Sequence, residues 1–100
     1  MNTITLNNGV LMPQLGLGTM QVKHLEQVLP AAIRLGYRLI DTAANYDNEA
    51  EVGKGIQVSQ IDRSKLFVTS KLKIQTNGYE GTMAAFQQSL DRLQLDYLDL

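Results

Sequence analysis

The chain has 100 residues, enough for one compact domain, and its formal net charge is −1. Its hydrophobic fraction of 44% is ordinary for a globular protein, and acidic and basic residues are interspersed, so we expect no nucleic-acid partner and no membrane partner. The lack of cysteine excludes disulfides, iron–sulfur clusters and cysteine-ligated zinc, and the start shows no secretory signal, so the sequence predicts a cytoplasmic protein.

The first predicted element is a β-hairpin. Thr3–Leu6 and Val10–Met12 flank Asn7-Asn8-Gly9, whose residues tolerate the positive φ that a tight hairpin turn requires. Pro13 ends the second run. Leu15–Thr19 is a short apolar segment with two glycines, which predicts a first buried strand that ends where another group approaches the backbone closely.

A helix is predicted over Val22–Leu35. Apolar residues recur at intervals of three and four and share one face, namely Val22, Leu25, Leu29 and Ala32. Pro30 opposes this prediction, because a proline inside a helix costs about 3 kcal/mol. The helix therefore either begins near Pro30 or bends there. Gly36 fits the left-handed stop that follows a last helical turn.

The rest of the chain alternates strands and helices. Three further strands are predicted, over Tyr37–Ile40, Leu66–Ser70 and Tyr97–Leu100. Asn48 with Glu51 resembles a capping box, which predicts a short helix to about Gln57. The clearest helical stripe consists of Met83, Phe86, Leu90 and Leu93. Strands separated by helices run parallel, so the predicted fold class is α/β.

Two predicted strands end in a charged residue, and a tyrosine follows nearby. Ile40 is followed by Asp41, Ser70 is followed by Lys71, and Tyr46 lies five residues past Asp41. Ligands of parallel α/β sheets bind beyond the carboxyl ends of the strands. If the two strands are neighbours, Asp41 and Lys71 can form an ion pair at this rim, with Tyr46 folded over it.

Such a constellation has a chemical use. A free phenol titrates near about 10, too high for an efficient acid at neutral pH. A nearby ammonium favours the phenolate form, and a carboxylate keeps that ammonium charged and in place. The arrangement would let Tyr46 donate a proton during carbonyl reduction. From spacing alone the ordinary alternatives stay open: Asp41 as a turn former, Lys71 as a solvated side chain and Tyr46 as a packing residue.

Several ordered segments resemble the aldo-keto reductase family. They are Gly36-Tyr37-Arg38, the signature-like run Asp41–Glu49 continued by Val52-Gly53, the lysine strand Leu66–Leu72, and the pair Ser89–Leu93 and Leu95–Leu100. The hairpin and Gly16–Thr19 also fit, so the resemblance covers essentially the whole chain. The nearest subgroup resembles the bacterial 2,5-diketo-D-gluconate reductase-like enzymes.

The resemblance implies a fold and a reaction. The fold is a (β/α)8 TIM barrel plugged by the hairpin, of which residues 1–100 would form the N-terminal portion: the hairpin, about three βα units and a fourth strand. The reaction is NADPH-dependent reduction of aldehydes and ketones. By matching position Tyr46 is the proton donor, Lys71 makes it a better acid and Asp41 supports Lys71. The nicotinamide end of the cofactor would lie against Gly18, Thr19, Met20 and Asp41.

The chain also departs from the family pattern. The catalytic histidine of the family falls just beyond Leu100, and the single histidine, His24, is expected to be a partly solvated helix residue. Asp47 and Gln94 stand where glycine is usual, and Met20 stands where relatives often carry an aromatic. No metal site is expected. The parent is expected to be a monomer acting on a small carbonyl compound, and the alternative is a non-catalytic half-barrel that self-associates.

Overall fold

The structure is a computed structural model and describes residues 2–100. Eight regular elements follow one another along the chain: β1 Thr3–Thr5, β2 Leu11–Pro13, β3 Gly16–Gly18, α1 Leu25–Arg34, β4 Leu39–Asp41, α2 Glu49–Ser59, β5 Phe67–Thr69 and α3 Gly78–Leu93. Short 3₁₀ turns at Ala44–Tyr46 and Arg63–Lys65 precede α2 and β5. Helix α2 packs between α1 and α3.

The hairpin forms as predicted. Strands β1 and β2 are antiparallel, with Thr3 opposite Pro13. Leu6 N–H donates to the carbonyl of Val10 at 2.8 Å, and Gly9 adopts a φ of 86° in the turn between them. Pro13 is the last residue of β2, a place where a strand tolerates a missing N–H because the sheet has only two strands.

The predicted parallel sheet also forms, in the order β3-β4-β5. The middle residues Ile40 and Val68 are fully buried in the core formed with the helices. Strand β3 was expected to be buried and is not, since Gly16 and Gly18 are exposed and Leu17 is only half-buried. It lies at the edge of the sheet, where it is hydrogen-bonded to β4 on one side only. The close approach in this strand is at Gly16, where an added Cβ would overlap the side chain of Leu39.

Helix α1 runs through its proline. It begins at Leu25, three residues later than the apolar spacing predicted, and the possibility that it begins near Pro30 is wrong. The chain enters α1 through His24, whose left-handed φ of 59° excludes Val22 from the helix. Gly36 ends the helix as predicted, with a φ of 110° and with Tyr37 N–H donating to the carbonyl of Ala32 at 3.0 Å.

The predicted capping box of α2 does not form. Asn48 is the N-cap residue, but its Nδ2 donates to the carbonyl of Thr19 at 2.8 Å instead of capping the helix. The other half of the predicted box, Glu51, is exposed. A tertiary partner in a distant loop has therefore replaced the local one, and the helix continues to Ser59, two residues beyond the predicted end.

The last part of the chain buries only half of the predicted stripe. Leu90 and Leu93 are buried, whereas Met83 and Phe86 are 49% and 37% exposed. The fourth strand predicted over Tyr97–Leu100 does not form a regular ladder, although Asp99 N–H donates to the carbonyl of Val68 at 3.0 Å and Ser70 N–H donates to the carbonyl of Leu100 at 3.1 Å. The Asp99 carboxylate accepts from Val68 N–H at 2.8 Å, where a neighbouring strand would offer a carbonyl. Within residues 2–100, no helix has the length and apolar character needed to span a bilayer.

Two glycines provide a test of the packing between α2 and α3. A Cβ at Gly53 would meet the backbone of Leu93, with its Cα at 2.8 Å, whereas a Cβ at Gly81 would meet nothing within 4 Å. We expect Gly53→Ala to lower the unfolding free energy of the full-length protein by about 1–3 kcal/mol, because backbone cannot move aside cheaply. Gly81→Ala should raise it by about 0.5–1 kcal/mol through helix propensity. Urea denaturation measures both, and a stabilising Gly53→Ala would contradict the close packing.

Candidate active site

The strand ends bring the predicted residues to one rim. Asp41 and Thr69 end the neighbouring parallel strands β4 and β5 and are paired in register. Side chains alternate along a strand, so Asp41, Thr69 and then Lys71 point away from the helix-facing Ile40 and Val68. The hydroxyl of Thr69 donates to Asp41 Oδ1 at 2.5 Å. This local alternation explains why the charges meet on one face.

Lys71 is the centre of the arrangement. Its Nζ lies 2.9 and 3.0 Å from the two carboxylate oxygens of Asp41, 3.1 Å from the carbonyl of Thr42 and 3.2 Å from the hydroxyl oxygen of Tyr46. An ammonium has three N–H donors and no acceptor, so all three are engaged by these three residues. The phenolic oxygen of Tyr46 therefore accepts from Lys71 and keeps its own O–H free to donate elsewhere.

The ion pair shifts both pKa values in the direction that preserves its charges. Burial acts to raise the pKa of Asp41, but hydrogen bonds from Lys71 and Thr69 and the Lys71 charge outweigh it and lower that pKa. Burial acts to lower the pKa of Lys71, but the hydrogen bonds to Asp41 and Tyr46 outweigh it and raise that pKa. The side chains are 36% and 51% exposed, so solvent screens the pair considerably.

This ion pair should contribute to stability over a defined pH range. The lowered pKa of Asp41 means that its contribution to the unfolding free energy is present above about pH 3.9 and is lost as the pH falls through the folded-state pKa. The raised pKa of Lys71 means that its contribution to the unfolding free energy is present below about pH 10.4 and is lost as the pH rises through the folded-state pKa.

We expect Asp41→Asn to lower the unfolding free energy by about 0.5–1 kcal/mol at neutral pH, and the difference from wild type to vanish in acid. The exposed Asp96, which makes no side-chain hydrogen bond or ion pair within residues 2–100, supplies the control Asp96→Asn. Denaturation from pH 1.5 to pH 8 provides the measurement, because the lowered folded-state pKa of Asp41 places the loss at the acid end of this range. A constant difference at every pH would contradict the charge-based explanation.

Tyr46 reaches the rim through a turn that is bonded to the lysine strand. It ends the 3₁₀ turn Ala44–Tyr46, and Ala44 N–H donates to the carbonyl of Lys71 at 3.1 Å. The chain leaves the turn at Asp47 with a left-handed φ of 55°, the conformation for which a glycine would be usual. Gln94, after α3, has the same φ of 55°. The ring of Tyr46 lies with its centroid 5.1 Å from Lys71 Nζ.

The end of β3 forms the other side of the rim. Gly18 pairs in register with Asp41, and an added Cβ at Gly18 would meet nothing within 4 Å, so the backbone there faces open space. Met20 is 59% exposed beside it. Thr19 is fully buried: its N–H and hydroxyl both donate to the carbonyl of Asp41, at 3.0 and 2.9 Å, and its own carbonyl accepts from Asn48. Thr19 thereby fixes the end of β3 to the end of β4.

A second polar cluster, which the sequence analysis did not single out, lies behind the rim. The carboxylate of Glu49 is 1% exposed and accepts hydrogen bonds from Ser70, Ser89 and Arg92. The only sequence signals were the position of Glu49 within the signature-like run and the i, i+3 spacing of Ser89 and Arg92, which places them on one helix face. The cluster forms only because α2, α3 and the end of β5 meet at this point, and no local sequence pattern predicts that meeting.

The remaining candidates stand apart from the ion pair. His24 is the exposed N-cap residue of α1 and lines the same open groove as Tyr46, but its ring makes no hydrogen bond within residues 2–100. In the part of the chain that the structure describes, no group of three or more His, Asp or Glu side chains is placed to hold a metal ion.

Comparison with known proteins places this geometry in a family. The profile of the aldo/keto reductase family matches residues 9–100. The chain is 53% identical over 102 residues to glyoxal reductase of Bacillus subtilis, covering 99% of this chain and 37% of that protein. It is 54% identical over 99 residues to morphine 6-dehydrogenase of Pseudomonas putida, covering 97% of this chain and 33% of that protein. The chain thus spans about a third of the length of these relatives.

Solved structures agree. An aldo/keto reductase from Brucella melitensis superposes with a TM-score of 0.91 at 43% identity, over 97% of this chain and 38% of that one. An aldo-keto reductase from Bombyx mori in complex with NADP gives a TM-score of 0.89 at 37% identity, over 97% and 36% of the two chains. The hairpin and parallel βα units are therefore part of a (β/α)8 barrel, with no closed barrel among the described residues. The chain belongs to the aldo/keto reductase family.

Proposed function

We propose that the full-length protein reduces aldehydes and ketones to alcohols with NADPH, and that this segment supplies the proton donor. One observation carries the proposal: the Lys71 ammonium is hydrogen-bonded to the Tyr46 oxygen at 3.2 Å, while the tyrosine retains its own proton at an open rim. An acid with a free O–H beside a fixed cation is what a carbonyl oxygen needs as it becomes an alkoxide.

Each of the three residues has a distinct part in this proposal. Tyr46 donates its proton to the carbonyl oxygen of the substrate. Lys71 stabilises the phenolate that remains, because its ammonium is already in contact with that oxygen. Asp41 holds the ammonium with both carboxylate oxygens, and its lowered pKa keeps it ionised at neutral pH. The bound cofactor supplies the hydride.

The rim beside Asp41 fits a flat cofactor ring. Gly18 carries no side chain and faces open space, so a planar group can approach its backbone, and the exposed Met20 can pack against that group. Thr19 contributes by fixing this strand end, since its N–H, hydroxyl and carbonyl are all bonded within the protein. We assign Gly18, Thr19, Met20 and Asp41 to the nicotinamide end of the site.

The proposal extends to the organisation of the whole protein. Residues 1–100 would be the N-terminal portion of one barrel domain, with a catalytic histidine supplied beyond Leu100. We expect the isolated segment to be inactive, because a barrel of this type needs about 250 residues. The alternative, a self-associating half-barrel, is favoured by an open apolar groove. It is lined in part by Leu72, Met83, Phe86, Leu98 and Leu100. The cytoplasmic location remains a prediction from the sequence.

The decisive experiment is a turnover assay. Purified full-length protein is mixed with NADPH or NADH and either glyoxal, chosen because of the similarity to a glyoxal reductase, or a simple aldehyde, and cofactor oxidation is followed at 340 nm. We expect turnover with NADPH, and the reaction with NADH measures how strongly the enzyme prefers one nicotinamide cofactor. Residues 1–100 alone should give none. Failure to oxidise either cofactor with any carbonyl tested, together with a defined dimer of residues 1–100 in sedimentation, would favour the half-barrel instead.

A further inference from the structure

Glu49 is a buried carboxylate to which the proposed reaction assigns no role. Its Oε2 accepts from the hydroxyl of Ser70 at 2.8 Å, and its Oε1 accepts from Nε and Nη2 of Arg92 at 2.9 and 2.8 Å and from the hydroxyl of Ser89 at 3.2 Å. A buried ionised carboxylate persists only when charged and polar donors surround it. The first turn of α2, the end of β5 and the last turns of α3 therefore converge on this single side chain.

The position of Glu49 connects it to both halves of the proton-donating pair. It follows the 3₁₀ turn that ends at Tyr46 by three residues, at the first position of α2. Its partner Ser70 directly precedes Lys71. The two oxygens of the carboxylate have different partners: Oε2 reaches toward the lysine strand, and Oε1 reaches toward α3.

We propose that Glu49 is a positioning residue that sets the distance between Tyr46 and Lys71 through its hydrogen bond to Ser70. This inference rests on the proposed function, since it concerns the geometry of the same proton donor. Strand alternation places the side chain of Ser70 on the helix side and that of Lys71 on the rim side, so holding the Ser70 hydroxyl fixes the backbone from which Lys71 extends. Arg92 and Ser89 anchor the carboxylate to α3 and do not touch the rim.

The backbone supports the same coupling. Ala44 N–H donates to the carbonyl of Lys71 at 3.1 Å, so the turn that carries Tyr46 is bonded to the residue that follows Ser70. Displacements of about 1 Å in a catalytic arrangement can cost on the order of a hundredfold in rate. Loosening Ser70 should therefore reduce proton donation without altering how the cofactor binds.

The two serines that contact Glu49 separate positioning from simple stabilisation. Ser70→Ala removes the bond toward Lys71 and leaves Oε2 without a donor among the described residues, whereas Ser89→Ala removes a bond toward α3 and leaves Oε1 with its two bonds from Arg92. Steady-state kinetics of the full-length enzyme should show kcat reduced about tenfold or more by Ser70→Ala, with the KM for NADPH unchanged. Ser70→Thr, which keeps the hydroxyl, should restore most of the turnover. Ser89→Ala should leave kcat near wild type.

The outcomes are distinguishable from failure of the proposed function. Three results would overturn the positioning role: equal effects of Ser70→Ala and Ser89→Ala on kcat, an unchanged kcat in Ser70→Ala, or no recovery in Ser70→Thr. In each case Tyr46→Phe in the same assay would still show its large loss of kcat. Near-normal turnover in Tyr46→Phe would instead overturn the proposed function, and the positioning role with it.

Discussion

Replacement of Tyr46 by phenylalanine is expected to lower kcat of the full-length protein by about 10²–10⁴-fold, the usual contribution of a general acid. The substitution removes only the phenolic oxygen, which accepts from Lys71 at 3.2 Å and carries the free proton. The ring keeps its place in the turn Ala44–Tyr46, so the fold of this segment should persist. The loss should therefore fall on the chemical step.

The expected pattern of constants identifies the step. An interaction made mainly in the transition state lowers kcat and kcat/KM together, so the KM for NADPH should change little in Tyr46→Phe. Titration of NADPH against the variant, followed by fluorescence, should give an affinity within about threefold of wild type, since the proposed nicotinamide contacts lie at the end of β3 and at Asp41. Cofactor binding that is lost along with turnover would indicate a collapsed site.

A matched control separates chemistry from the general effect of removing a hydroxyl. Tyr79 is 81% exposed in α3, and Tyr79→Phe makes the same chemical change outside the rim. This variant should turn over at the wild-type rate. If Tyr46→Phe also retained near-normal turnover, the proton would have another source, and the role proposed for Tyr46 would be wrong.

The rim could be predicted because its determinants are local. Charged residues at the ends of two strands, with side chains that alternate along each strand, are enough to bring Asp41 and Lys71 to one face once the strands are parallel neighbours. The parallel direction follows from the alternation of strands and helices, whereas adjacency is a condition that the order β3-β4-β5 meets. The structure gives Nζ of Lys71 within 3.0 Å of both Asp41 oxygens, so this expectation is confirmed.

The local signals at Asn48 and Gly53 are modified by residues that are distant in sequence. Asn48 has the sequence of a capping residue, but its amide bonds Thr19, 29 residues away. Gly53 lowers helix propensity in α2, yet its missing side chain admits the backbone of Leu93. The burial expected for Leu15–Thr19 fails for a different reason: among the described residues β3 is bonded only to β4, and only Thr19 of this segment is buried. A local sequence pattern does not show which distant segments will meet, or which strand will lie at the edge of the sheet.

The same reasoning explains why Glu49 was missed. A glutamate in the first turn of a helix is ordinarily a surface residue favoured by the helix dipole. Here the helix begins at the meeting point of β5 and α3, and Ser70 and Arg92 reach the carboxylate from those elements. Only the assembled structure reveals that a charge is buried there, and burial is what makes the cluster energetically important.

Among the substitutions considered, removal of the Arg92 side chain should therefore lower the unfolding free energy most. Arg92→Ala leaves the Glu49 carboxylate, 1% exposed, with only the hydroxyls of Ser70 and Ser89. Breaking a buried pair by deleting one partner costs about 3–5 kcal/mol, because an uncompensated charge stays behind. The Arg92 side chain is 40% exposed, so water will enter after its removal, and we expect the lower end, about 3 kcal/mol. This is a large share of the roughly 5–15 kcal/mol that stabilises a domain.

A second substitution tests whether the stranded charge is the cause. Glu49→Gln in the Arg92→Ala background removes the charge while keeping an oxygen for the serine hydroxyls, so it should recover part of the lost stability. In the wild-type background the same change should destabilise, since it deprives Arg92 of its partner. Arg34→Ala, at an exposed arginine in the last turn of α1, should cost less than about 1 kcal/mol and serves as the control.

Urea denaturation of the four variants decides between two origins of the Arg92 effect. If Glu49→Gln lowers the unfolding free energy in the wild-type background and raises it in the Arg92→Ala background, charge compensation holds α2, β5 and α3 together. If Glu49→Gln destabilises by the same amount with and without Arg92, the two side chains do not interact energetically. The contribution of Arg92 would then come from packing of its aliphatic stem, and the convergence of three elements on Glu49 would have no electrostatic basis.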